Sequence, residues 1–141
     1  MKYVLDSSVA FKWLVPENDT AKALRLRDDF RRQIIELLAP DIFPVEVVHA
    51  LTRAERQGRV TSAQGVQLFR DFLSHLPQLH SCLPLLPRAY AISSTARIGA
   101  YDCLYVALPE REGCELVTAD DKLVRNLQGR FPFVVPLASM S

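Results

Sequence analysis

The chain has 141 residues, the size of one ordinary domain with a sizeable core. Apolar residues make up 49% and charged residues 23%, which excludes a disordered chain, and a net charge of +1 excludes a broadly basic surface. No apolar run reaches the ~18 residues of a membrane span, and no signal peptide is expected, because the first residues enter a strand directly. Cys82, Cys103 and Cys114 are odd in number and form no CxxC, which predicts reduced thiols; Cys103 reads as a small core residue. His49, His75 and His80 lack zinc spacing.

In chain order, Tyr3-Val4-Leu5 is a short run of strand formers that ends in Asp6. Ser7 or Ser8 can cap a following helix, and Asp6 itself can be read as a turn or cap residue. The helix through Val9–Val15 is expected to stop at Pro16, with Phe11 and Trp13 as core residues. Asn18, Asp19 and Thr20 offer caps for a longer helix, whose buried face is expected to comprise Ala23, Leu26, Phe30, Ile34 and Leu37. Leu38 to Phe43 reads as a strand or extended link. Pro44 suits the first turn of the next helix, and Glu46 falls in that turn. This helix is expected to end near Gly58.

Thr61 and Gln64 form a capping-box pattern, and Val66, Phe69, Leu73 and Leu76 are the expected apolar face of the helix it opens. Gln78 to Leu83 reads as a strand, and a helix through Ala89–Ser93 is broken by Gly99. Asp102 then opens a helix that Pro109 is expected to interrupt and Gly113 to end. Glu115–Thr118 is a strand running into Asp120 and Asp121, a short helix covers Lys122–Leu127, and Phe133–Val135 is a last strand. No repeat or linker divides the chain, so one domain over residues 1–141 is expected. Alternating strands and helices predict an α/β protein: an α/β/α sandwich with a mostly parallel sheet.

Four carboxylates occupy equivalent places. Asp6 and Asp120 end strands; Glu46 and Asp102 open helices. In a parallel sheet, strand ends and the helix starts that follow them share one edge, where ligands bind. Acidic groups brought together there repel one another unless a cation neutralises them. Oxygen donors suit Mg²⁺ or Mn²⁺ better than zinc, and such ions support phosphodiester hydrolysis. Each carboxylate alone also fits a cap or an exposed side chain. Lys12, Arg53, Arg56, Arg59, Lys122 and Arg125 are candidate phosphate contacts.

Together, Tyr3–Ser8, Pro44-Val45-Glu46-Val47-Val48-His49-Ala50-Leu51, Tyr101–Leu108 and Leu116–Asp120 resemble the PIN domains, in particular the VapC toxins of bacterial type II toxin–antitoxin pairs. The resemblance implies a metal-dependent endoribonuclease with Mg²⁺, or Mn²⁺, as cofactor. By position it implies Asp6, Glu46, Asp102 and Asp120 as the acidic set, the first three holding the metal. Ser7 and Thr118 match assisting hydroxyls. His49 stands where relatives carry asparagine, and Asp121 can substitute for Asp120. The resemblance further implies an RNA substrate, a homodimer, a small VapB-like antitoxin partner whose groove uses residues such as Trp13, and a cytoplasmic location. A PIN-fold RNA- or protein-binding module with weak or lost activity is the alternative; the complete acidic set argues against it. A receiver domain fits less well, since no acidic pair precedes Asp6 and no lysine ends a late strand, and an aspartate-nucleophile phosphatase fits less well, since the chain has Asp6-Ser7-Ser8 rather than Asp-x-Asp. No glycine-rich phosphate loop is present.

Overall fold

A computed structural model describes residues 1–141. The elements in chain order are β1 (Lys2–Leu5), α1 (Ser7–Leu14), α2 (Thr20–Arg31), β2 (Glu36–Pro40), α3 (Phe43–Arg56), α4 (Ser62–Leu73) and β3 (Gln78–His80). A 3₁₀ turn at Leu83–Leu85 leads into α5 (Leu86–Ala96), α6 (Ala100–Glu112), β4 (Glu115–Thr118), α7 (Asp121–Leu127) and β5 (Val134–Pro136). A second 3₁₀ turn follows at Leu137–Ser139.

The five strands form one parallel sheet in the order β3-β2-β1-β4-β5. Connections from β1 and β2 run one way along the sheet, and those from β3 and β4 run the other. Right-handed crossovers therefore put α1–α4 and α5–α7 on opposite faces, the α/β/α sandwich expected from the sequence. The direction reverses between β1 and β4. That reversal opens a crevice at the carboxyl ends of these two strands, where α/β sheets take their ligands.

Burial explains why the middle strands read as apolar runs. Val4, Leu5, Leu38, Leu116 and Val117 are fully buried between helical layers. The edge strands β3 and β5 span three residues each, and short edges resist pairing with other chains. Helix α6 is buried at every position from Cys103 to Pro109, so it carries no polar stripe. It packs against β1, β2 and β4.

Several sequence expectations are corrected. Helix α2 stops at Arg31 because Gln33 adopts a left-handed backbone (φ 62°). Ile34 is consequently exposed, and Leu37 belongs to β2 rather than to the helix face. The 3.6-residue period ran across a helix–strand boundary. Pro109 does not interrupt α6, which continues to Glu112 and ends at Gly113 in the left-handed region. Proline removes one backbone hydrogen bond there, but only near the end of a helix already held by burial. The capping box at Thr61 and Gln64 is present, yet α4 buries Gly65 and Phe72 while Val66 and Leu73 face outward.

Candidate active site

The local structure after β1 places Asp6 at the crevice. Its backbone N–H donates to the Val117 carbonyl, which ties the residue to the end of β4. Asp6 stands at the N-cap position of α1 but its side chain caps nothing. Its Oδ2 instead accepts from the Ser8 hydroxyl (2.5 Å) and the Thr118 hydroxyl (2.9 Å). Those hydroxyls are themselves fixed, because Ala119 N–H donates to Ser8 Oγ (3.0 Å) and Asp120 N–H donates to Thr118 Oγ1 (3.0 Å). Asp6 is 7% exposed and Thr118 is fully buried. A buried carboxylate that accepts two oriented hydroxyl bonds is a positioned group, not an incidental cap.

Glu46 is held from the other side. Its Oε1 accepts from the Tyr105 hydroxyl at 2.5 Å, a bond that joins α6 to α3. Ser7 lines the same cleft beside Glu46. Tyr105 is 1% exposed, and burial pushes its phenol well above the ordinary range, so it stays a donor. Asp102 lies in the first turn of α6, where no side chain caps the helix. Asp120 combines two roles. Its Oδ1 caps α7 by accepting from Lys122 N–H (3.0 Å) and Leu123 N–H (3.2 Å), and the same residue borders the crevice.

The structure thus brings Asp6, Glu46, Asp102 and Asp120 to one cleft of about 360 Å³, together with Ser7, Ser8, Phe11, Lys12 and Glu17. Electrostatics give the same convergence independently of the cleft's outline. Burial raises the Asp6 carboxyl against its hydroxyl bonds, and the Asp120 charge raises it further. Burial raises Glu46 too, with the Asp6 and Asp102 charges adding to it against the Tyr105 bond. Asp102 is pushed up to about 6, by burial first and then by Asp6 and Asp120, with Lys122 opposing. Each of these three groups feels two or more neighbours of the set or burial beside one of them, which is how a crowded acidic site behaves.

A hard cation fits this donor set, which consists of carboxylate and hydroxyl oxygens without nitrogen or sulfur. No three of the side chains already surround one point as ligands. Mg²⁺ does not require that, since it keeps several waters and takes one or two protein carboxylates. Asp6, Glu46 and Asp102 are the groups whose raised proton affinity a cation would relieve.

Of the supporting candidates, Ser7 lines the cleft and Thr118 is buried behind Asp6, while His49 and Asp121 lie outside; of the candidate phosphate contacts only Lys12 lines it. His49 is exposed on α3 and donates to no carboxylate, and Asp121 is exposed in the first turn of α7. Ser8 and Tyr105 escaped the sequence reading. Ser8 sits two residues after Asp6, close enough for a local side-chain bond. Tyr105 lies one turn after Asp102 on a helix that is buried throughout, where a phenol needs a partner for its O–H. Both signals were legible, but neither named the partner.

Comparison with known proteins decides the family. The sequence matches the PIN domain over residues 3–126. The chain belongs to the PIN-domain family. Ribonuclease VapC3 of Pyrobaculum aerophilum is 30% identical over 137 residues, covering 96% of this chain and 98% of that protein. Among solved structures, PAE2754 from Pyrobaculum aerophilum superposes with a TM-score of 0.71 at 21% identity, covering 99% of this chain and 85% of the other. VapBC2 from Rickettsia felis, crystallised with a DNA fragment from its promoter, gives a TM-score of 0.63 at 17% identity, covering 96% and 97%. Both structural likenesses establish the PIN-like α/β/α fold of this chain.

Proposed function

We propose that this PIN-domain protein is a VapC-like toxin, a metal-dependent endoribonuclease that cleaves RNA phosphodiester bonds at the acidic cleft. The observation that carries the reading is the gathering of Asp6, Glu46, Asp102 and Asp120 in one cleft at the sheet's switch point, where burial raises the first three carboxyls. The similarity to ribonucleases of the VapC kind supplies the substrate class.

Asp6, Glu46 and Asp102 hold Mg²⁺ or Mn²⁺ in this reading, and Asp120 supports them from the end of β4. A bound cation supplies charge neutralisation and polarisation at the scissile phosphate. The Ser8 and Thr118 hydroxyls orient Asp6 and favour its ionised form against burial, and the Tyr105 hydroxyl does the same for Glu46. Lys12 provides a cation at the cleft wall, where a phosphate must be met by positive charge. Burial and the Asp6 and Asp120 charges push the Asp102 carboxyl up to about 6, so cation binding strengthens above that pH.

The likeness to VapBC2 supports a small antitoxin partner. A groove of about 370 Å³ between α1, α2 and α4, lined by Trp13, Leu14, Arg27, Arg31, Leu68 and Phe72, is the candidate seat for a small VapB-like antitoxin. The exposed apolar side chains of Leu83, Leu86 and Tyr90 offer a surface for a homodimer. No helix is long and apolar enough to cross a membrane; a cytoplasmic location is part of the reading through the similarity to VapC ribonucleases.

The test is cleavage of a pool of structured RNAs by the purified protein in Mg²⁺, Mn²⁺ or EDTA, beside Asp6→Asn and Asp102→Asn. Cutting that needs metal and is lost in both variants is the expected result. Cutting that persists in both would refute the site. A protein that neither cuts RNA nor binds Mn²⁺ would favour a binding module.

A further inference from the structure

The acidic cleft adjoins a second cavity that the mechanism above leaves unused. It measures about 180 Å³ and is lined by Arg97, Ile98, Gly99, Lys122 and Asn126, with Asp102 and Asp120 as the wall it shares with the cleft. That is below the ~300 Å³ at which pockets enclose a whole small molecule, so a group the size of a phosphate suits it better than a complete nucleotide.

Its polar lining is of the kind that binds an anion beside the acidic centre. Arg97 provides a guanidinium with five donors, Lys122 an ammonium and Asn126 an amide. Neither Arg97 nor Lys122 lies within 4 Å of any carboxylate oxygen, so both cations are free to take a ligand. Lys122 also acts on the centre itself, since its charge opposes the rise of the Asp102 carboxyl.

The wall is built, not loose. Arg97 ends α5 in the left-handed region (φ 57°), and its N–H donates to the Ser93 carbonyl (2.9 Å). The Ser93 hydroxyl donates to the Ile98 carbonyl (2.5 Å), and Cys103 N–H donates to the Gly99 carbonyl (3.2 Å). An added Cβ at Gly99 would meet nothing within 4 Å, so the backbone there borders open space.

We propose that the Arg97–Lys122–Asn126 cavity is a backbone-phosphate subsite, which grips the RNA phosphate next to the one being cut. This rests on the ribonuclease reading and extends it. A strand whose scissile phosphate lies over Asp6 and Asp102 passes the shared wall at Asp102 and Asp120, and its neighbouring phosphate meets Arg97 and Lys122. Arg97 binds as a bidentate fork and Lys122 as a point charge.

The experiment measures binding of a fluorescent single-stranded uridine 12-mer by anisotropy across salt concentrations, in EDTA to prevent cleavage, with KM and kcat for a cleaved RNA as a second readout. Arg97→Ala and Lys122→Ala should each weaken binding by about 3- to 10-fold and lower the salt slope by about 0.7, one phosphate contact each. Both should raise KM; Arg97→Ala should leave kcat nearly unchanged, whereas Lys122→Ala, which also removes a charge acting on Asp102, should lower kcat as well. Arg97→Lys, which keeps the charge but loses the fork, should recover part of the loss, and Arg130→Ala, an exposed cation just past α7 and outside the cavity, should change affinity less than ~2-fold. Unchanged affinity and KM in Arg97→Ala and Lys122→Ala would overturn the subsite, as would an equal loss in Arg130→Ala, which would mean a diffuse field. A wild type that neither binds nor cleaves RNA would instead overturn the ribonuclease reading on which the subsite rests.

Discussion

On the α1 side of the acidic cleft, the Lys12 ammonium lies 3.4 Å from Glu17 Oε1 and the Arg59 guanidinium 3.1 Å from Glu17 Oε2, with Arg59 also 5.6 Å above the Phe11 ring. On the α7 side, Arg97 and Lys122 contact no carboxylate. Each flank has two cations, but one flank's pair is already engaged. The difference teaches that a count of basic residues says little about where an anion can bind; what matters is which cations have no partner. A part-exposed ion pair is worth only about 0–1 kcal/mol, so a phosphate can displace Glu17. The α1 flank is therefore a conditional contact and the α7 flank a standing one.

The comparison assumes that both flanks serve one centre, and removing that centre should silence both. Asp6→Asn and Asp102→Asn should each lower RNA cleavage by about 10²- to 10³-fold, the loss of several kcal/mol of transition-state stabilisation, measured as single-turnover rates. An intact rate in either variant would separate the flanks from the proposed centre. Tyr105→Phe keeps the ring but deletes the donor to Glu46. It should cost about 10- to 100-fold in Mn²⁺ affinity or cleavage, the usual penalty for losing a group that orients a ligand, while the far-ultraviolet circular dichroism stays unchanged.

Glu17→Gln tests the asymmetry itself. Freeing Lys12 and Arg59 should tighten RNA binding about 3-fold and steepen its salt dependence by about 0.7 to 1.4. Unaltered binding would mean that the α1 cations never meet RNA. A pH prediction follows from Asp102. Its folded carboxyl is raised from 3.8 to about 6, so its contribution to stability is full below pH 3.8 and is lost as pH rises through about 6. Asp102→Asn should accordingly stabilise the metal-free protein by about 1 kcal/mol at pH 7.5 after allowance for solvent screening, and by nothing at pH 3.5, as read by urea unfolding. The smallest effect is expected at Arg97. Arg97→Gly relieves a left-handed backbone at φ 57° and should leave stability unchanged or higher by about 0.5 kcal/mol, while weakening RNA binding on the α7 flank.

Much of the fold was legible because each local signal had a single physical cause. The apolar run before Asp6, the proline at the start of α3 and the Thr61–Gln64 capping box each specified its element directly. The convergence of the four carboxylates was legible because topology puts strand ends and helix starts on one edge. Failures came where two causes competed. The apolar period at Ile34 and Leu37 continued past a backbone reversal at Gln33. Pro109 predicted an interruption, but burial from Cys103 onward kept α6 intact. Pairing across the sequence was not legible at all. Tyr105 meets Glu46 over 59 positions, and Thr118 meets Asp6 over 112, distances along the chain that no local pattern encodes. Arg97 was overlooked for the same reason, since only the fold puts the end of α5 beside Lys122 and Asn126.

The most direct measurement is Mn²⁺ binding, followed by electron paramagnetic resonance, for the wild type beside Asp6→Asn, Glu46→Gln and Asp102→Asn at pH 7.5. If the carboxylates from β1, α3 and α6 act as one cation site, the wild type binds Mn²⁺ and each substitution weakens it by about 10-fold or more. A wild type that binds no Mn²⁺, or three variants that bind it as the wild type does, would contradict the account.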